Sequence, residues 1–191
     1  MIGHKIVILG SMGAGKSTLV RAVAQGRVVD TDVDNTDASS AKLATTVAMD
    51  YADVALPNGD RMRLFGTPGQ ARFSFIWPIL LEGAAGALVL LDASGEDASA
   101  ELDRYLDVLA EHAPTVPLAI GVTKLDLATD TALATATAMD TTLQQLSARA
   151  DARGQVVPIV PVDAREAGQI LMLMDVLMTQ IDTADLVATH G

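Results

Sequence analysis

The run Lys5-Ile6-Val7-Ile8-Leu9 followed by Gly10-Ser11-Met12-Gly13-Ala14-Gly15-Lys16-Ser17 decides the fold. The first five residues read as a buried strand, and Lys16–Gln25 reads as a helix. Between them lies G-x-x-x-x-G-K-[ST], the strand–loop–helix signature of a phosphate-binding loop. Gly13 and Gly15 let the backbone curl so that successive N–H groups face inward, and the helix N-terminus adds partial positive charge. Gly13, Ala14, Gly15, Lys16, Ser17 and Thr18 are the candidate phosphate-binding residues. Lys16 has the reach for β- and γ-phosphates, and the Ser17 hydroxyl suits Mg2+.

Outward from that loop, apolar runs alternate with helical stretches. The pattern predicts an α/β P-loop NTPase fold. The expected architecture is three-layer α/β/α, with a six-stranded, mostly parallel sheet whose second strand is antiparallel, and about five helices. Strands are expected at Lys5–Leu9, Thr46–Leu56, Arg61–Phe65, Ala87–Leu91, Pro117–Val122 and Val156–Val160. Asn58-Gly59 marks a hairpin between the second and third. Helices are expected from within Thr67–Trp77 to Leu81, over Ala98–His112, over Ala138–Arg153 and over Ala167–Ile181. The last carries Ile170, Leu173, Met174, Leu177 and Met178 on one face, read as core. Arg27–Thr45, with Asp30, Asp32, Asp34 and Asp37, shows neither period; its acidic order is not an EF-hand and reads as a solvated loop. Ala128–Ala138 reads as a Thr/Ala-rich loop extension, and residues after Asp182 as a frayed tail. The expected organisation is one domain over 1–182 and a tail over 183–191.

The chain has 191 residues, a formal charge of −11, 50% hydrophobic residues and no cysteine. That composition excludes disorder, disulfides and thiol chemistry, and it fits a cytoplasmic protein. A strongly acidic chain lacks the clustered Lys and Arg that nucleic acid and anionic lipid require. The expectation is no nucleic-acid partner and no membrane anchor. A polyanion must then be held locally, by oriented amides, one lysine and a metal.

Thr123-Lys124-Leu125-Asp126 follows the fifth expected strand and resembles the guanine-recognition motif [N/T]-K-x-D of small GTPases. With both motifs placed, the chain resembles a Ras/Arf-like small GTPase over nearly its whole length. Within that superfamily it looks most like the bacterial gliding-motility and conservon type. The resemblance implies that Asp126 accepts from guanine N1–H and the 2-amino group, donors that adenine lacks. It also implies that Lys124 lies along the base and that Thr123, Ala164 and Arg165 complete the base site. Thr46 takes the place of the switch I threonine that binds Mg2+. Gly66-Thr67-Pro68-Gly69-Gln70-Ala71-Arg72-Phe73 looks like switch II, where Gly69 would offer its N–H to the γ-phosphate and Gln70 would orient the attacking water.

One departure matters. The family's switch II aspartate, which holds an Mg2+-bound water, is Gly66 here, so weaker metal binding is expected. Either Ser17, Thr46, phosphates and waters hold the metal alone, or a carboxylate from switch I compensates, with Asp32 and Asp34 as candidates. Met12 stands where Ras proteins carry glycine and admit an activator's arginine. Arg27 and Arg72 are candidate arginines in cis. Phe65, Phe73, Phe75 and Trp77 cluster in sequence around switch II, as core or as an effector surface.

The expected function is a GTP/GDP switch that slowly hydrolyses GTP, with a regulatory or effector protein (a GAP, an exchange factor, a Roadblock-type protein) as the implied partner. The alternative is a nucleotide-stabilised interaction module with little hydrolysis. A P-loop ATPase or kinase ranks lower, since Asp126 opposes adenine.

Overall fold

The computed structural model describes residues 2–24, 28–30, 49–56, 59–95, 97–127 and 132–190, with the side chains of 28–30, 132–136, 189 and 190 outside that description. Seven strands form one sheet: β1 (Gly3–Gly10), β2 (Val28–Asp30), β3 (Asp50–Ala55), β4 (Arg61–Gly66), β5 (Gly86–Asp92), β6 (Leu118–Thr123) and β7 (Ile159–Pro161). Their spatial order is β2-β3-β4-β1-β5-β6-β7. Only β3 runs against the rest: it pairs antiparallel with both β2 and β4, while the other neighbours are parallel.

Alternation along β1 sorts the core into two layers. Ile6 and Ile8 pack with α1 (Lys16–Val23) and α5 (Ala167–His190) on one face. Val7 and Leu9 pack with α2 (Trp77–Leu81), α3 (Ala98–His112) and α4 (Ala132–Ala152) on the other. Strand β5 repeats the division, Leu88 and Leu90 against Ala87, Val89 and Leu91. The central strands are therefore apolar throughout, because both faces are covered. Ile170, Leu173, Met174 and Leu177 of α5 are fully buried, as a core-covering face requires.

The expected three-layer α/β/α sheet is present, with four differences at its margins. The sheet gains β2, a three-residue edge strand in the stretch read as loop; so short a strand carries no readable alternation. Helix α4 starts at Ala132, inside the Thr/Ala-rich stretch, because alanine propensity sustains the helix ahead of Met139, Leu143, Leu146 and Ala150, which pack on the core. Strand β7 is shorter than expected: Pro158 has no N–H to give a ladder, and its carbonyl accepts from Ile120. Helix α5 continues to His190 rather than fraying after Asp182. Leu186 and Val187 are exposed there, so this last part is helical without burial. The Asn58 turn lies outside the described residues, but β3 and β4 pair as the hairpin demands, from Ala55↔Arg61 out to Asp50↔Gly66.

Candidate functional site

The site lies at the ends of β1, β5 and β6, where loops leave the sheet. After β1 the chain turns through Gly13 (φ +88°) and Gly15 (φ +98°), left-handed geometry that favours glycine. A Cβ at Gly15 would stand 2.9 Å from that of Ala164, so the loop after β1 and the loop after β7 are in close contact. Lys16 opens α1 only 7% exposed, and its ammonium donates to the carbonyls of Gly10 (2.8 Å) and Ser11 (2.7 Å). Burial lowers its pKa to about 8, against the opposing influence of Asp50 and Glu101.

A cavity of about 200 Å3 joins this loop to the base-site candidates. Its walls include Gly13, Ala14, Gly15 and Thr18 on one side and Thr123, Lys124, Asp126, Ala164 and Arg165 on the other. Thr123 is a bolt between them. It is buried, and its Oγ1 donates to the Ala14 carbonyl (3.0 Å) and the Leu91 carbonyl (3.2 Å). Its hydroxyl is thus spent on holding β6 to the loop. Lys124 is the one non-glycine residue with positive φ among the described residues (φ 59°), a strained conformation characteristic of functional turns.

The Lys124 ammonium pairs with Asp92 at 2.6 Å. Burial opposes ionisation of Asp92, but hydrogen bonds from Lys124 and Ser94 outweigh it and hold the carboxyl below its ordinary value. Asp126 sits at the cleft's lip with its side chain 61% exposed, 3.6 Å from the Arg165 guanidinium. The protein alone therefore leaves this carboxylate hydrated. Arg165 is itself held by Asp163, whose carboxyl it pulls down to about 2.

Switch II candidates start from a fixed point: Thr67 is buried, and both its N–H and Oγ1 donate to the Ile8 carbonyl at 2.9 Å. Gly69 then lies against the phosphate loop. A Cβ there would come within 2.6 Å of the Met12 nitrogen and 2.8 Å of the Lys16 Nζ, so a side chain has no room. Gln70 is exposed at the start of a 3-10 turn, Ala71–Ile76. Arg72 lies 4.7 Å over the Phe73 ring, and Met12 is 73% exposed.

The aromatic residues do not form one cluster. Phe65 meets Tyr51 across β3 and β4, Phe73 meets Phe75, and Trp77 is buried against Tyr105 of α3. Trp77 is therefore core, while Phe75 is 63% exposed. Thr46, Arg27, Asp32, Asp34 and Asp37 lie outside the described residues.

One residue that sequence reasoning passed over faces Ser17. Asp50 Oδ2 accepts from Ser17 Oγ at 2.5 Å. Two hard oxygen donors side by side suit Mg2+, which takes one or two protein oxygens and fills its octahedron with phosphate and water. No group of three or more His, Cys, Asp or Glu able to hold a metal occurs among the described residues. No helix among them is long and apolar enough to cross a membrane.

Residues 5–180 match the model of the Ras family. The chain is 29% identical to Ras-related protein RHN1 of Nicotiana plumbaginifolia over 127 residues, which are 66% of this chain and 60% of that protein. It is 30% identical to Ras-related protein Rab-5A of Dictyostelium discoideum over 135 residues, 70% of this chain and 63% of the relative. An uncharacterized protein of Methanocaldococcus jannaschii is 32% identical over 123 residues, 64% of this chain and 71% of its own length. The match thus spans about 60% of the length of the plant and Dictyostelium relatives.

Proposed function

Because the chain belongs to the Ras family, we propose that it binds GTP and GDP in the cleft between the phosphate loop and Asp126 and acts as a switch with slow GTP hydrolysis. The observation that carries this reading is the shared cavity: Gly13–Gly15 and Asp126 line one space, a diphosphate grip at one end and a carboxylate at the other. The loop amides and the buried Lys16 ammonium would receive the β- and γ-phosphates. Asp126 accepts from guanine N1–H and the 2-amino group, and Thr123 sets its distance from the loop through Ala14. The base itself covers the carboxylate, which supplies the desolvation that the protein alone leaves undone. Lys124, fixed by Asp92, forms the cleft wall between base and phosphates.

In hydrolysis, water attacks the γ-phosphorus, a new P–O bond forms, and the bond to the β–γ bridging oxygen breaks to give GDP and phosphate. Gln70 orients the water and Gly69 meets the γ-phosphate through its N–H. Mg2+, held at Ser17 together with Thr46 of the switch I segment, would neutralise charge on the β- and γ-oxygens. Arg72 lies over the Phe73 ring, so the one candidate arginine among the described residues is engaged away from the phosphates. The intrinsic rate is then expected on the order of 10⁻⁴–10⁻² s⁻¹. A regulatory protein supplies the missing acceleration, and the exposed Met12 sets the shape of that approach. The Gly66–Gln70 segment supports a place beside the bacterial gliding-motility and conservon proteins, with a Roadblock-type protein as candidate partner and the cytosol as the setting.

Purification without added nucleotide, followed by chromatography of the denatured supernatant, tests the reading. GDP or GTP is the expected passenger, and GTP should outcompete ATP by at least about a hundredfold, as expected when a hydrogen-bonding carboxylate is left unpaired. ADP or ATP in that fraction, or equal competition, overturns it.

A further inference from the structure

We propose that Asp50 supplies the carboxylate that this chain lacks at position 66, so that the Mg2+ site is completed from β3 instead of β4. The inference deepens the guanine-nucleotide reading and rests on it.

The two positions are directly opposed in the antiparallel β3–β4 pair, Asp50↔Gly66. Opposed residues in such a ladder normally keep their Cβ atoms ~4.5–5.5 Å apart. A Cβ at 66 would lie only 3.0 Å from the Asp50 Cβ and 3.3 Å from its Oδ2. The Asp50 side chain therefore leans across the ladder into the space that a side chain on β4 would fill. A side chain at 66 would have to push the Asp50 carboxylate aside, and glycine there leaves it room.

The displaced carboxylate ends at the right chemistry. Its Oδ2 takes the Ser17 hydroxyl hydrogen at 2.5 Å, which leaves the Ser17 oxygen lone pairs to face a cation. Fixing a ligand's orientation through a carboxylate partner is the usual work of the residues behind a metal's own ligands. Asp50 is thus a positioning residue for Ser17 and a local anion for the metal. On this proposal Asp50 takes the compensating part for which Asp32 and Asp34 were candidates, and tight metal binding is the expected outcome.

The test is the release rate of a fluorescent GDP analogue (N-methylanthraniloyl-GDP) from the full chain, in millimolar Mg2+ and after chelation with EDTA. In the parent protein chelation should speed release at least about tenfold. Asp50→Asn, which keeps size and shape, should release in Mg2+ nearly as fast as the parent does in EDTA. Half-saturating Mg2+ should rise about 10–100-fold, the usual consequence of removing such a partner. The exchange Asp50→Gly with Gly66→Asp should restore the Mg2+ effect, which a merely structural role for Asp50 would not do. An Asp50→Asn protein that keeps the parent's Mg2+ ratio, or a parent indifferent to chelation, overturns the proposal and leaves GDP binding standing. Failure of the parent to bind the analogue at all overturns the guanine-nucleotide reading beneath it.

Discussion

Replacing Thr123 with valine removes a single hydroxyl at nearly constant volume, and the structure sets the size of the effect. Thr123 is 2% exposed, and its Oγ1 bridges the carbonyls of Ala14 and Leu91 at 3.0 and 3.2 Å. Valine fills the same space but has no hydrogen to offer the two carbonyls that share the threonine's. Stranding a buried acceptor costs about 1–3 kcal/mol. At this chain length each kcal/mol moves Tm by roughly 2–4 °C, so the melting point should fall by about 2–12 °C. Circular dichroism melts without nucleotide measure the drop directly. Thr123→Ser keeps the hydroxyl and should recover most of it. Because Ala14 belongs to the phosphate loop, the valine protein should also release GDP several-fold faster, whereas an equally destabilising change in the α5 core should not. A Thr123→Val protein that melts within about one degree of the parent would refute the view that this hydroxyl ties the two halves of the cleft together.

Asp126→Asn should weaken GDP binding about a hundredfold or more, because two charge-assisted hydrogen bonds of about 1.5–3 kcal/mol each become one neutral bond and one clash of donors; isothermal titration checks it, and unchanged affinity would place the base elsewhere. Gly69→Ala puts a methyl 2.6 Å from the Met12 nitrogen and 2.8 Å from Lys16 Nζ, so the segment must withdraw from the phosphate loop; GTP hydrolysis should fall at least about tenfold while GDP affinity stays within about threefold, read by phosphate release and titration. Asp92 has a depressed pKa in the folded protein, so its ion pair contributes stability that is present above the ordinary carboxyl value of 3.8 and is lost as pH falls through the lower folded value. Urea denaturation of the parent and Asp92→Asn should therefore differ at neutral pH and converge in acid; a difference that grows on acidification would contradict the assignment.

The parts of the fold legible in sequence are those whose burial writes a period. Val7 and Leu9 against Ile6 and Ile8, and the apolar stripe of α5, follow from faces that must be covered. The ends of elements were less legible because propensity, not burial, sets them: α4 begins on alternating Ala and Thr, and α5 runs on past its last core residue, Ile181. At the site, spacing brought out the residues that line the cavity, from Gly13 to Arg165. It gave no role to Asp92 or Asp50, whose partners Lys124 and Ser17 lie far off in sequence. A signal for Asp50 was nevertheless available. Counting outward from the Asn58-Gly59 turn pairs Ala55 with Arg61 and, five steps on, Asp50 with Gly66. An aspartate opposite the very glycine that stands in an aspartate's place is a cross-strand fact, invisible to a reading that runs along one strand at a time.

Under the proposed function, the same geometry accounts for how a chain of net charge −11 would hold a polyanion. Acidic groups near the cleft are neutralised or turned to use: Asp92 is paired with Lys124, Asp163 with Arg165, and Asp50 with the Ser17 hydroxyl. At the proposed phosphate end stand the N-terminus of α1 and an ammonium held by two carbonyls. Such oriented dipoles act over a few ångströms, well inside the ~8 Å over which salt screens exposed charge at physiological ionic strength. Binding built this way should depend little on bulk ionic strength and strongly on Mg2+, the opposite of a polyanion held by a basic surface. On the proposed function, the acidic exterior would repel adventitious phosphate polymers at little cost to a nucleotide held by local dipoles.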